Sequence, residues 1–282
     1  MDGGLVRLKE MLDKVTRSER KVAEFILAEP EKMIQSSVAE LAEYSGGSPA
    51  AIIRLCKSME FSSFQEFKLK VAGDLQKDNR LDYQEIQPHD SIENIIKSVS
   101  SNNVQSIRDT VKILDPQMVS RAVDVLQSAK RIFFYGLGAS NLIAMDAQSK
   151  FLRINRMCFS FADPHLQISS ATFLQEDDVA VGISYSGESA HVISCLEYAK
   201  ASHATTISIT KFGSNSVSSL ADISLMITST ENEIRSGATS SRITQLNVVD
   251  ILYLGVASRT FDESRMYLER SRQAIGALTK KK

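Results

Sequence analysis

From residue 131 onward, five short apolar runs alternate with segments of helical period: 131–135, 157–161, 179–183, 204–209 and 223–228. Helical patterns at about 140–154, 188–201 and 238–257 fill the gaps between them. Parallel strands need a crossover of a dozen or more residues, and an amphipathic helix is the usual one. The alternation therefore predicts a five-stranded parallel sheet flanked by helices. In such sheets ligands bind beyond the carboxyl ends of the strands, where the strand order reverses.

Two strand-to-helix joins fall at that edge. Val179–Ile183 runs into Ser184-Tyr185-Ser186-Gly187-Glu188-Ser189, and Ile132–Tyr135 runs into Gly136-Leu137-Gly138-Ala139-Ser140. The first turn of a helix offers unpaired N–H groups and a positive dipole end, which suits an anion. Serine hydroxyls add neutral donors, and glycines such as Gly138 and Gly187 let the backbone approach a ligand closely. Two such joins predict one pocket for a phosphorylated small molecule. Arg242 has a planar fork that fits a phosphate or a carboxylate, and equally a salt bridge on a helix face. Glu188, Glu233, His165 and His191 are the candidates for a sugar-isomerising base, and each is read as binding or structural before catalytic. Gly136-x-Gly138 has Asn141 where the dinucleotide fingerprint needs its third glycine, and no GxxxxGK[ST] occurs. No cofactor is expected, and no metal, because no His/Cys/Asp cluster has ligand spacing.

The first 75 or so residues carry helical periodicity only. Ser18 is read as the cap of a helix through Val22, Phe25 and Ile26, which Pro30 ends. Ser37 caps a short helix, Ser45-Gly46-Gly47 is a turn, and Ser48-Pro49 opens a longer helix. Helix, glycine-bearing turn, helix is the order of a helix–turn–helix. In the second helix Ile52, Leu55, Cys56 and Met59 follow an inward stripe. Ala50, Ala51, Arg54, Lys57 and Ser58 fall mainly on the other face, short-chained at its start and basic further along, as close approach to base edges requires. Arg54 is assigned to a guanine edge, Lys57 and Ser48 to phosphates, and Lys68 and Lys70 to the DNA backbone. Residues 1–80 hold thirteen cations and thirteen acids, so net charge does not argue for nucleic acid, but residues 49–59 carry two cations and no acid.

The chain has 282 residues, a formal net charge of −1 and three widely spaced cysteines, Cys56, Cys158 and Cys195, read as reduced thiols. No run approaches the roughly 20 apolar residues that span a bilayer, and no cleavable signal is recognised. A cytoplasmic protein with no membrane partner is expected. Polar composition over 78–90 marks a linker, giving 1–77 as an all-α helix–turn–helix domain and 91–282 as an α/β domain.

Ser18-Glu19-Arg20-Lys21-Val22-Ala23, Ala51–Lys57 and Phe64-Gln65-Glu66-Phe67-Lys68 resemble the RpiR/MurR-type bacterial transcription regulators. Gly136–Ser140, Ser184–Ser189 and Ser240-Ser241-Arg242 leading into Gln245 resemble a SIS (sugar isomerase) domain. The resemblance covers nearly the whole chain. It implies a DNA-binding regulator, more often a repressor, of carbohydrate or amino-sugar genes. It also implies a sugar-phosphate effector, operator DNA as partner, and a homodimer or homotetramer. The phosphate-holding hydroxyls it implies are Ser184, Ser186 and Ser189, with Ser140 from the first join. Gly138, Tyr185, Gly187, Glu233 and Arg242 complete the expected effector site. N-acetylmuramic acid 6-phosphate is the effector that MurR-type kinship points to. The turn departs from the family, where Asn-Val or Asn-Ser often precedes the serine, and Gly46-Gly47 is expected to loosen it. The alternative reading is a sugar-phosphate isomerase or etherase with an added helical domain.

Overall fold

A computed structural model describes residues 3–76, 89–231 and 238–279. The chain divides into two compact units, 1–113 with 228–230, and 114–227 with 231–282.

The first unit is helical: α1 (Gly4–Met11), α2 (Arg17–Ala28), α3 (Pro30–Gln35), α4 (Val38–Ser45), α5 (Pro49–Ser58), α6 (Phe64–Gln76) and α7 (Ile92–Ile113). Thr16, not Ser18, caps α2: its backbone N–H and hydroxyl both donate to Glu19 Oε2, at 2.9 and 2.8 Å. The Thr16-x-x-Glu19 spacing is a capping box, and it outcompetes a serine two residues later. Pro30 ends α2 but also starts α3, because a proline at the first helical position forfeits no hydrogen bond. Ser37 and Ser48 cap α4 and α5 as expected, accepting from the N–H groups of Glu40 and Ala51. Gly3, left-handed at φ 101°, cannot cap α1 itself, and the buried Asp74 of α6 accepts from the Gly3 and Leu5 N–H groups at 2.7 and 2.9 Å.

The Gly46-Gly47 turn is tightly specified. Gly46 ends α4 at φ 63°, where a side chain is strained, and the Gly47 N–H returns to the Ala42 carbonyl at 3.1 Å. A Cβ on Gly47 would lie 2.4 Å from Val22 Cγ2, so the second glycine lets the turn press on α2.

The second unit opens with α8 (Pro116–Ser128). It continues as β1 (Arg131–Gly136), α9 (Ala139–Arg153), β2 (Cys158–Phe159), α10 (Pro164–Ala171), β3 (Asp178–Ile183), α11 (Ala190–Ala201), β4 (Thr205–Lys211), α12 (Ser216–Leu220), β5 (Ile223–Ile227), α13 (Ser240–Arg259) and α14 (Phe261–Thr279). The five strands are parallel in the order β2-β1-β3-β4-β5. Each expected run forms a strand. One face buries Ile132, Phe134, Val181 and Ile207 with Ile143, Phe151 and Val248; the other buries Phe133, Tyr135 and Ala180 with Val192, Cys195 and Leu196. Helices α9 and α11 therefore leave neighbouring strands toward opposite faces. The order reverses between β1 and β3, and Gly136 is in register with Ile183, so the two joins emerge side by side at the switch point.

Candidate functional site

The first join is shaped by its glycines. A Cβ on Gly136 would meet the Ser140 carbonyl at 2.8 Å, whereas Gly138, at φ 54°, has nothing within 4 Å of that position. Gly138 thus holds a left-handed backbone beside open space at the start of α9. Ser140, half-buried, accepts from Gln245 of α13 at 3.2 Å.

In the second join Ser184 is buried, and its hydroxyl accepts the Gly187 N–H at 3.2 Å. The flanking strand also holds the join, since Ser184 N–H donates to the Ile209 carbonyl and Lys211 N–H to that of Tyr185. Gly187 sits at φ 72°, and a Cβ there would come within 2.1 Å of Asn215 Cγ. Ser186 is exposed and Ser189, the cap residue of α11, half-exposed. Glu188 is occupied structurally: its carboxylate accepts the Ser216 N–H at 3.1 Å and the Ser216 hydroxyl at 2.5 Å, pinning α12 to the join.

The helix starts in this unit are not alike. Asp115, Asp163 and Asn215 cap α8, α10 and α12 with their own side chains, whereas α9 and α11 receive no cap from their N-cap residues' side chains. At the start of α13, Glu231 accepts the Ser241 N–H at 3.1 Å and the Ser241 hydroxyl at 2.8 Å. Arg242 is exposed on the first turn of α13, with no side-chain partner among the described residues. Glu233 lies outside the described residues.

Gln167, fully buried, ties the surroundings together. It bonds both the N–H and the carbonyl of Gly136, at 3.3 and 2.9 Å, and the Phe161 carbonyl at 2.7 Å, and its Oε1 lies 3.3 Å from His191 Nε2. Burial, with a smaller contribution from the nearby His165, holds the His191 pKa below the ordinary histidine value. His165 itself is exposed on the first turn of α10. An apolar cleft of about 580 Å³ between α13 and α14, lined by Tyr253, Leu254 and Phe261, lies away from both joins.

In the first unit α5 presents Ala50, Arg54, Lys57 and Ser58 outward and buries Ile52, Leu55, Cys56 and Met59. Ala51, expected outside, is fully buried: it stands one turn ahead of Leu55 and shares its stripe. Arg54 is 55% exposed and donates from Nε to Glu19 Oε1 at 3.0 Å. Lys68, expected on the DNA backbone, instead caps α3, its ammonium 2.9 Å from the Ser36 carbonyl. A cation at a helix C-terminus satisfies orphan carbonyls, and the basic count alone could not separate that role from a phosphate contact.

Residues 2–78 match the helix-turn-helix domain of the rpiR family, and residues 125–255 match the SIS domain. The HTH-type transcriptional regulator YbbH of Bacillus subtilis is 42% identical over 98% of both chains. The chain belongs to the RpiR family.

Another relative, the HTH-type transcriptional regulator HexR of Pseudomonas aeruginosa, is 32% identical over 96% of this chain and 95% of its own. The fold agrees with that of Vibrio vulnificus NanR, solved with ManNAc-6P, at a TM-score of 0.62 and 24% identity over 98% of both chains. The protein is a transcriptional regulator built from a helix–turn–helix domain and a SIS domain. The fold has the two expected halves, all-α and then α/β. Among the described residues no helix is long and apolar enough to cross a membrane, and no three His, Cys, Asp or Glu side chains gather as a metal site would require.

Sequence reading missed Glu19, Gln167, Asn215 and Glu231. Glu19 had a signal, the Thr16-x-x-Glu19 spacing. Asn215 had one too, as the local cap of α12 paired with Ser218 three residues on; Gln167 and Glu231 act through contacts that only the folded chain creates.

Proposed function

We propose that this RpiR-type regulator reads operator DNA through Ser48, Ala50, Arg54 and Lys57, and that a phosphorylated sugar governs that binding. The phosphate is assigned to the hydroxyls of Ser140, Ser184, Ser186 and Ser189, with Gly138, Tyr185 and Gly187 shaping the two joins. Arg242 and Glu233 are assigned to the rest of the sugar. The observation that carries the reading is the pairing of a glycine-rich join ending in Ser140 with a hydroxyl-rich join at the adjacent strand end, leading into α9 and α11, helices without side-chain caps. ManNAc-6P in NanR favours an amino-sugar phosphate, and N-acetylmuramic acid 6-phosphate, with its extra carboxylate, would also engage Arg242.

The reading makes 1–77 the DNA-binding domain, 78–90 the linker and 91–282 the effector domain, in a cytoplasmic homodimer or homotetramer acting as a repressor. An effector changes operator affinity only through its differential affinity for the free and DNA-bound states. A melting-temperature screen of ManNAc-6P, N-acetylmuramic acid 6-phosphate, N-acetylglucosamine 6-phosphate and arabinose 5-phosphate tests the effector half. A ligand at 100 times its Kd stabilises by about 2.7 kcal/mol. The active compound should also release operator DNA in a gel shift. Ser184→Ala with Ser186→Ala should abolish the response and leave DNA binding intact. A normal response from that double variant would move the pocket elsewhere.

A further inference from the structure

Arg54 is the one arginine on the outward face of α5, and its guanidinium has a single partner among the described residues, the carboxylate of Glu19 in α2. That carboxylate is almost wholly buried, 5% exposed, and divides its two oxygens between different tasks. Oε2 takes the N–H and hydroxyl of Thr16 and closes the capping box of α2; Oε1 takes Arg54 Nε. Glu19 therefore cannot swing with Arg54: it is an anchor bolted to another helix. The bond is side-on, through Nε. An arginine that grips a guanine uses its end-on pair of Nη groups on O6 and N7. Side-on anchoring leaves that pair intact and removes rotations that a free arginine would lose on binding. An arginine serving only as a salt bridge has no need to keep its terminal fork in solvent.

We infer that Glu19 is a positioning residue for base readout, fixing the Arg54 guanidinium so that its Nη pair is presented to one guanine in the major groove. This rests on the assignment of Arg54 to the DNA-reading face and adds that the specificity of that arginine is set from α2. The same carboxylate lowers the intrinsic positive potential at the face, so it favours discrimination over bulk attraction to phosphates.

The test uses the full-length protein and a duplex enriched by it from a randomised DNA library. Affinity is measured for that duplex, for each single-base variant and for a scrambled duplex. Glu19→Gln is the informative change: the amide oxygen can still accept from Thr16, but the NH₂ group that replaces Oε1 cannot accept from Arg54. Wild type should prefer a guanine at one position per half-site by about tenfold. Both Glu19→Gln and Arg54→Ala should flatten that same position, leaving the other positions unchanged. Scrambled-duplex affinity should fall for Arg54→Ala and hold or rise for Glu19→Gln. In the Arg54→Ala background, Glu19→Gln should change the profile no further.

A merely structural glutamate would weaken all duplexes alike, in step with a lowered melting temperature, and that result overturns the inference. So does a wild-type profile in Glu19→Gln when Arg54→Ala is flattened, which sinks Glu19 but spares the reading face. An unchanged profile in Arg54→Ala overturns both. Should Glu19→Gln fail to fold, Glu19→Asp keeps the charge but is one methylene too short to reach Thr16 and Arg54 together, and the same profile decides.

Discussion

Gly187→Ala puts the geometry of the second join to a quantitative test. Gly187 lies at φ 72°, where an alanine is strained by about 1–2 kcal/mol. Its Cβ would stand 2.1 Å from Asn215 Cγ, which is not the free end of a mobile side chain. The Asn215 amide donates to Thr210 Oγ1, Lys211 O and Gly213 O at 3.1, 3.3 and 3.0 Å, and its Oδ1 caps α12 by accepting the Ser218 N–H at 2.8 Å. Moving it strands a buried amide, at about 1–3 kcal/mol. The central expectation is a loss of about 3 kcal/mol, which for a unit of this size lowers Tm by roughly 6–12 °C. The join should also retreat from the pocket, because the Gly187 carbonyl accepts the Val217 N–H and must move with it. Thermal unfolding by circular dichroism, with and without the active sugar phosphate, measures both effects. A fall under about 2 °C together with an unaltered ligand shift would refute the reasoning, since the join would then accommodate a side chain where the geometry leaves no room.

Asp74→Ala should destabilise by about 3 kcal/mol in urea, because it strips the Gly3 and Leu5 N–H groups of a charged acceptor and removes one of the two carboxylates, with Asp109, that lie 3.7 Å from Lys112. Gly47→Ala, with its Cβ 2.4 Å from Val22 Cγ2, should cost about 1–3 kcal/mol and weaken DNA binding as the turn backs away from α2. Lys57→Ala should lower the salt slope of operator binding by about 0.9, whereas Lys68→Ala should leave the slope unchanged and reduce stability, because its ammonium is spent on Ser36. On pH, burial would raise the Glu19 pKa, but the hydrogen bonds from Thr16 and the Arg54 guanidinium outweigh it and hold the carboxyl below its ordinary value. That stabilisation is full above about pH 4.3 and is lost as pH falls through the lower folded value. His191, also depressed, stabilises fully above about pH 6.5 and loses that contribution as pH drops through its folded value. Urea midpoints at pH 5.0, 6.0 and 7.5 should therefore decline toward acid, and His191→Gln should flatten the slope.

The sheet was legible because buried parallel strands read as continuous apolar runs: Val179–Ile183 and Ile132–Tyr135 have no other place to go. Ser37 and Ser48-Pro49 were legible because capping chemistry is local. Ala51 and Lys68 were not. An alanine is small enough for either face, and only the packing of α5 on α2 and α4 decides. A lysine on α6 cannot announce whether its four-carbon stem will lead to a phosphate or to a carbonyl thirty-two residues upstream. The Gly46-Gly47 departure has a conformational reason that the sequence does not announce: Gly46 takes a left-handed φ, and Gly47 lies where a Cβ would meet Val22.

The helix starts narrow down where an anionic effector can sit. A phosphate competes poorly for amides that already face a carboxylate, because it meets repulsion as well as a partner it must displace. That weighs against α10, where Asp163 accepts the Leu166 N–H, and against the first turn of α13, where Glu231 holds Ser241. It leaves α9 and α11, which start from adjacent strands and carry Ser140, Ser186 and Ser189. Helix α13 then contributes differently: Gln245 orients the Ser140 hydroxyl at 3.2 Å, and Arg242 offers the one charge of suitable sign on that turn. Glu231→Gln should accordingly raise affinity for a doubly charged effector by removing a competing carboxylate, whereas Arg242→Ala should lower it. Equal losses in the two variants, read by calorimetric titration, would mean that Glu231 serves the ligand and that the phosphate lies on α13 after all.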